Sequence, residues 1–78
     1  MNDALLQRIT VNPEVCHGKP VIRNTRMMVE SILEYIAGGD TMEDLLKEFN
    51  YLEREDILAS IAYAAKVMHF KNITIPVK

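Results

Sequence analysis

The sequence is short of most of what staples or equips a small protein. It has one cysteine, Cys16, so an internal disulfide is excluded, and a lone thiol suits a reducing cytoplasm. A structural zinc site needs four ligands and a nucleophilic cysteine needs a base, but Cys16 is joined only by His17 and the distant His69. In an extended segment, Cys16 and His17 would also point to opposite sides. No metal, cofactor or catalytic residue is therefore expected, and the chain does not read as an enzyme. No apolar run reaches the roughly 18 residues of a membrane span. The start, MNDALLQRITVNPE, lacks the basic and long apolar parts of a signal peptide, so a cytoplasmic protein with no membrane partner is expected. Repeats and low-complexity stretches are absent as well. Gly18-Lys19 lacks the long glycine-rich loop and following Ser or Thr of a phosphate-binding loop; Pro20 and a strand follow instead, and no small-molecule substrate is expected. Tyr35, Tyr51 and Tyr63 do not have the spacing of a stacking platform and read as core or interface residues.

What remains is an ordinary globular composition, 49% hydrophobic and 26% charged over 78 residues, read as one domain spanning 1–78. A domain below about 80 residues rarely draws more than roughly 3–5 kcal/mol from its core. Without disulfide or metal, association is the supplement left, and a homodimer is expected. Net charge is −2, but unevenly spread: residues 1–28 carry four cations and two acids, 29–56 two cations and nine acids, 57–78 three cations and no acid. Both ends are basic around an acidic middle.

Period-two patterning in RITV and KPVIR predicts two short strands forming a small hairpin, with Pro20 at a strand start where a missing N–H is tolerated. Gly18 and Asn24 are the residues suited to positive φ in the turns. The period then becomes helical. Val29, Ile32, Leu33 and Ile36 share one face of a first helix, which Gly38-Gly39 stops. Asp40 or Thr41 caps a short second helix, with Leu45, Leu46 and Phe49 inward and Glu43 and Asp44 in its first turn. EREDILASIAYAAKVMHF is a long third helix whose acids, Glu53, Glu55 and Asp56, read as ordinary helix-start residues. NITIPVK, residues 72–78, alternates again as a C-terminal strand or tail. The expected fold is mainly α with small β: a three-helix, helix-turn-helix or homeodomain-like bundle with an N-terminal hairpin.

The third helix is apolar over most of its circumference. Ile57, Ile61, Ala64 and Met68 form one stripe, Leu58, Ala62 and Ala65 widen it, and Ala59, Ser60, Tyr63 and Lys66 leave a weakly polar side. Ile57, Ile61 and Met68, with Ile73 and Ile75 of the tail, are the expected oligomer or partner interface. Lys19, Arg23, Arg26 and Lys66 are the cations expected to meet DNA or an acidic partner surface; ion pairs to the acidic middle are the alternative.

The stretch NPEVCHGKPVIRNTRMMVESILEYIAGGDTMEDLLKEFNYLEREDILASIAYA resembles the prokaryotic domain of unknown function 433 family. That family's pattern runs through Asp-Pro, Gly-Lys-Pro, Ile-Arg-Gly-Thr-Arg and a Leu-Thr-x-Glu-Asp-Ile helix start. The likeness covers about residues 9–65, and Gly18, Lys19, Pro20, Asn24, Thr25 and Arg26 fall on its signature turn. Asn24 stands where the family usually has Gly, Asn12 where it has Asp, Asn50 where Pro is common, and Glu53 where a capping Thr is usual. The last change implies a weaker helix start. The resemblance implies a homeodomain-like helix-turn-helix fold. It also implies an antitoxin role of the Vap type, silencing a PIN-like ribonuclease and repressing the shared operon as a dimer. The alternatives are a stand-alone DNA-binding regulator and a small dimeric scaffold. DNA binding fits this chain poorly, because EREDI would bring three acids toward the phosphates.

Overall fold

Four β-branched residues set the first contacts. In a computed structural model, which describes residues 3–70, Ile9–Thr10 (β1) and Val21–Ile22 (β2) pair antiparallel, with Ile9 opposite Ile22 and Thr10 opposite Val21. Arg23 N–H extends the ladder to the Arg8 carbonyl at 2.7 Å. On its other side β2 bridges to Met28, because the chain turns back at residues 22–25 and Ile22 N–H reaches the Met27 carbonyl at 2.9 Å. Asn24 takes φ 64° in that turn. Amide side chains enter this left-handed region more readily than most, and the expectation for Asn24 holds.

The fold is mainly α with this small sheet. A short helix, Asp3–Leu6 (α1), precedes β1; Val29–Ala37 (α2), Met42–Glu48 (α3) and Arg54–Phe70 (α4) follow β2. Helix α1 leaves no signature in the sequence, since four residues are too few to show a period. Helix α2 ends in a Schellman motif: Asp40 N–H donates to the Tyr35 carbonyl and Gly39 N–H to that of Ile36, with Gly39 at φ 108°. Helix α3 opens with a capping box, Asp44 N–H on the Thr41 hydroxyl and Thr41 N–H on the Asp44 carboxylate.

The Thr41 backbone N–H on its carboxylate, and after it the Thr41 hydroxyl, hold the Asp44 carboxyl below its ordinary value. A lowered folded value contributes stability above the ordinary Asp range, which is lost as pH falls through the folded value. Asp44→Asn should therefore unfold more readily at neutral pH, and its stability should fall less between neutral and acid pH than that of the unchanged chain. Urea melts across that range test this.

The core gathers Ile22, Met27, Ile32, Leu45, Leu52 and Ile57, flanked by half-buried Ile9, Ile36, Met42, Leu46 and Phe49. It lies where α2, α3 and β2 close on the first half of α4. Helix α1 and β1 also pack on α4, so part of the apolar circumference that the sequence left for a partner is covered by the chain's own N-terminus. The rotational setting of α4, which the sequence left open, is fixed by this packing. Ala59 and Ser60, read as the weakly polar side, are fully buried, whereas Ile61 and Met68 are 45% and 67% exposed. Ile57 is 0% exposed within the core, so it is withdrawn from the interface set. The tail strand expected at 72–78, with Ile73 and Ile75, lies outside the described residues. Among those described, no helix is long and apolar enough to cross a membrane.

Candidate functional site

The signature turn is held by its own side chains. Thr25 donates its hydroxyl to the Ile22 carbonyl at 2.7 Å and accepts Met27 N–H at 3.0 Å, tying the two arms of the turn together. Thr25→Ala leaves the Met27 amide short of an acceptor at a poorly exposed site, at an expected cost of about 1–3 kcal/mol. Thr25→Ser should restore most of it, which paired denaturant melts would detect.

The connection from β1 to β2 is not the extended segment expected at Cys16 and His17. Asn12 accepts Glu14 N–H on its side chain, and Val15 N–H closes on the Asn12 carbonyl. Three successive residues then turn left-handed: Cys16 at φ 49°, His17 at 57° and Gly18 at 81°. Only Gly18 adopts this without a Cβ penalty; the other two are strained and held by Gly18 N–H to Val15 and Lys19 N–H to Cys16. The Cys16 thiol donates to the Arg26 carbonyl at 3.6 Å, joining this loop to the signature turn. Pro20, half-buried at the start of β2, accepts Val29 N–H on its carbonyl and so fixes the entry to α2.

The four cations singled out from sequence do not converge. Lys19 is paired with Glu30 at 2.6 Å, and that bond raises its ammonium above the ordinary lysine value. Arg23 donates to the Gln7 carbonyl at 3.3 Å. Arg26 is exposed and makes no ion pair among the described residues, and Lys66 is exposed on α4. Lys19, Arg26 and Lys66 line different clefts.

Arg8, which the sequence did not mark, is the cation that meets the acids of α4. It bridges Glu53 at 3.0 Å and Asp56 at 2.9 Å, and these bonds, Glu53 first, raise its guanidinium further. Asp56 is 6% exposed and also accepts Glu53 N–H at 2.8 Å. It therefore supplies the return half of a capping box while Glu53 turns its carboxylate to Arg8. The acids of EREDI are thus partly consumed inside the fold. Only the position of β1 beside α4 reveals this pairing.

Among the described residues, two open surfaces bear on function. The first is on α4: Leu58, Ile61, Ala65 and Met68, spaced by three, four and three residues, form an exposed seam opposite Ala59 and Ser60. Beside it, α2 and α4 enclose an apolar groove of about 360 Å³, where Val29 and Leu33 face Tyr63, Ala64 and Val67 and Met68 closes one wall. Leu58 and Ala65 join Ile61 and Met68 only once the helix rotation is known. The second surface is a cleft of about 700 Å³ beside the signature turn, lined by Asn24, Thr25, Arg26 and Tyr51 among others. No group of three His, Cys, Asp or Glu side chains is placed to hold a metal among the described residues.

Comparison with known proteins agrees with the geometry. Residues 9–64 match the family described as protein of unknown function, DUF433. The chain is 32% identical over 56 residues to the uncharacterized protein y4eO of Sinorhizobium fredii (strain NBRC 101917 / NGR234), covering 72% of this chain and 25% of that protein. It thus spans about a quarter of that curated relative's length. A crystal structure of a DUF433 member protein from Anabaena variabilis ATCC 29413 is similar with a TM-score of 0.77 and 31% identity, over 87% of this chain and 67% of that one. The chain belongs to the DUF433 family, whose description is that of a protein of unknown function.

Proposed function

We propose that this chain is a protein-binding antitoxin of the Vap type, which docks on and silences a PIN-like ribonuclease in the cytoplasm. The observation that carries this reading is the exposed α4 seam of Leu58, Ile61, Ala65 and Met68. A three-four spacing is the pattern of a helix that packs on another helix, and a chain with so small a core gains from burying it. The seam serves either the ribonuclease or a second copy of the chain, and a homodimer that presents the adjoining groove to the toxin uses both surfaces.

DNA binding is secondary in this reading. The order α2, α3, α4 suits a helix-turn-helix unit, and repression of a shared operon would place the start of α4 near phosphates. That start carries exposed Glu53 and Glu55, Lys19 is already paired with Glu30, and Arg26 and Lys66 line separate clefts. Phosphate affinity requires cations that act together. A duplex would therefore be held only by an oligomer or a toxin complex.

The test is recovery of the tagged chain from its host, with the co-purifying protein assayed for ribonuclease activity before and after addition of more chain. A co-purified PIN-like nuclease whose activity falls on addition supports the proposal. Recovery of a defined DNA fragment without any protein would replace it with the stand-alone regulator.

A further inference from the structure

The cleft beside the signature turn points to a second role, independent of the α4 seam and sharing no residue with the groove next to it. Its polar lining is Thr10, Asn12, Asn24, Thr25, Arg26 and Tyr51, with no carboxylate, on a chain that has eleven acids. Arg26 is its one cation. Every other described arginine is committed: Arg8 to Glu53 and Asp56, Arg23 to the Gln7 carbonyl, Arg54 toward Glu43. Arg26 therefore presents a fork of donors to solvent with nothing negative lining the same cleft, the arrangement that suits an external phosphate or carboxylate.

Tyr51 distinguishes between those anions. Tyr51 is 54% exposed and braced by Phe49 at 6.2 Å, edge to face, and Phe49 leans in turn on Tyr35 at 5.5 Å. An exposed, braced aromatic ring in a cleft suits stacking by a planar base, which sequence spacing gave no reason to expect. The same cleft is lined by neutral hydrogen-bonding groups. Asn12 has its carbonyl oxygen engaged by Glu14 N–H, so its amide N–H groups are free to donate, and Asn24 is fixed by its left-handed backbone. Thr25 spends its hydroxyl on the turn and serves only to hold Arg26 in place. A lone carboxylate would use Arg26 and leave the ring unused, whereas a nucleotide engages both and is accommodated in a cleft of about 700 Å³.

We propose that this cleft binds a nucleoside monophosphate, its phosphate on Arg26 and its base against Tyr51. The ligand is either a free nucleotide or the phosphorylated end of a single strand. NMR titration of the full chain with AMP, adenosine, inorganic phosphate and a short oligonucleotide with or without a 5′-phosphate tests this. AMP should bind saturably, with shifts centred on Asn24, Arg26 and Tyr51, and more tightly than either adenosine or phosphate. Arg26→Ala should weaken AMP by about tenfold or more, the loss of a charge-assisted bond. Tyr51→Ala should weaken it while Tyr51→Phe, which keeps the ring, does not. Both positions are exposed, and an unchanged unfolding midpoint for each variant separates lost binding from lost fold. Tighter, 5′-phosphate-dependent binding of the oligonucleotide identifies the strand end as the source; weaker binding identifies the free nucleotide. The proposal is overturned if neither AMP nor the oligonucleotide saturates at millimolar concentration, if Arg26→Ala binds as well as the unchanged chain, or if the shifts map to the α2/α4 groove.

Discussion

Ile57→Ala is expected to leave most of the chain unfolded in water. Ile57 is fully buried and belongs to the cluster that includes Ile22, Ile32, Leu45 and Leu52, so truncation removes transfer energy and leaves a cavity among side chains from three helices and β2. An isoleucine-to-alanine change of this kind costs about 2–5 kcal/mol. A core in a domain of this size supplies only about 3–5 kcal/mol, so the loss is comparable with the whole. Far-UV circular dichroism and a urea melt measure it directly. Ile61→Ala, one turn further along the same helix but 45% exposed, should stay within about 0.5 kcal/mol of the unchanged chain. Equal melts for the two variants would show that α4 is rotated away from the setting described above.

The second large effect is on association. Ile61→Asp combined with Met68→Asp places two charges in the exposed seam of α4 without entering the core, so the monomer should still fold, with its unfolding midpoint lowered to that of the dissociated chain and no longer dependent on protein concentration. Self-association should be lost, and affinity for the ribonuclease should drop by about 30-fold or more, the effect of removing central apolar contacts from an interface. Sedimentation with titration against the recovered toxin provides both readings. A double variant that associates and binds as before would mean that α4 is a solvent-facing helix whose apolar seam has no partner. The docking proposal would then have to move to residues 72–78 or be given up. The pair of experiments also separates two properties that composition merges, since Ile57 and Ile61 are the same side chain four residues apart.

By itself the sequence determined the local geometry of this protein. Gly38-Gly39 ended α2, Thr41 with Asp44 opened α3, Asn24 and Gly18 took positive φ, and the alternating RITV and KPVIR segments formed the paired strands. Each depends on bonds within a few residues or on the conformational range of one residue, so the pattern carries the information. Tertiary structure alone decided the rest. Helix α4 is apolar nearly all round, so hydrophobicity could not select its buried face. The packing of α1, β1 and α2 did, burying Ala59 and Ser60 and turning Leu58, Ile61 and Met68 outward. The same packing brought Arg8 to Asp56 across 48 positions of sequence and placed Tyr51 and Arg26 in the lining of one cleft. No periodicity records such meetings, because they are set by how elements close on one another in space rather than by spacing along the chain.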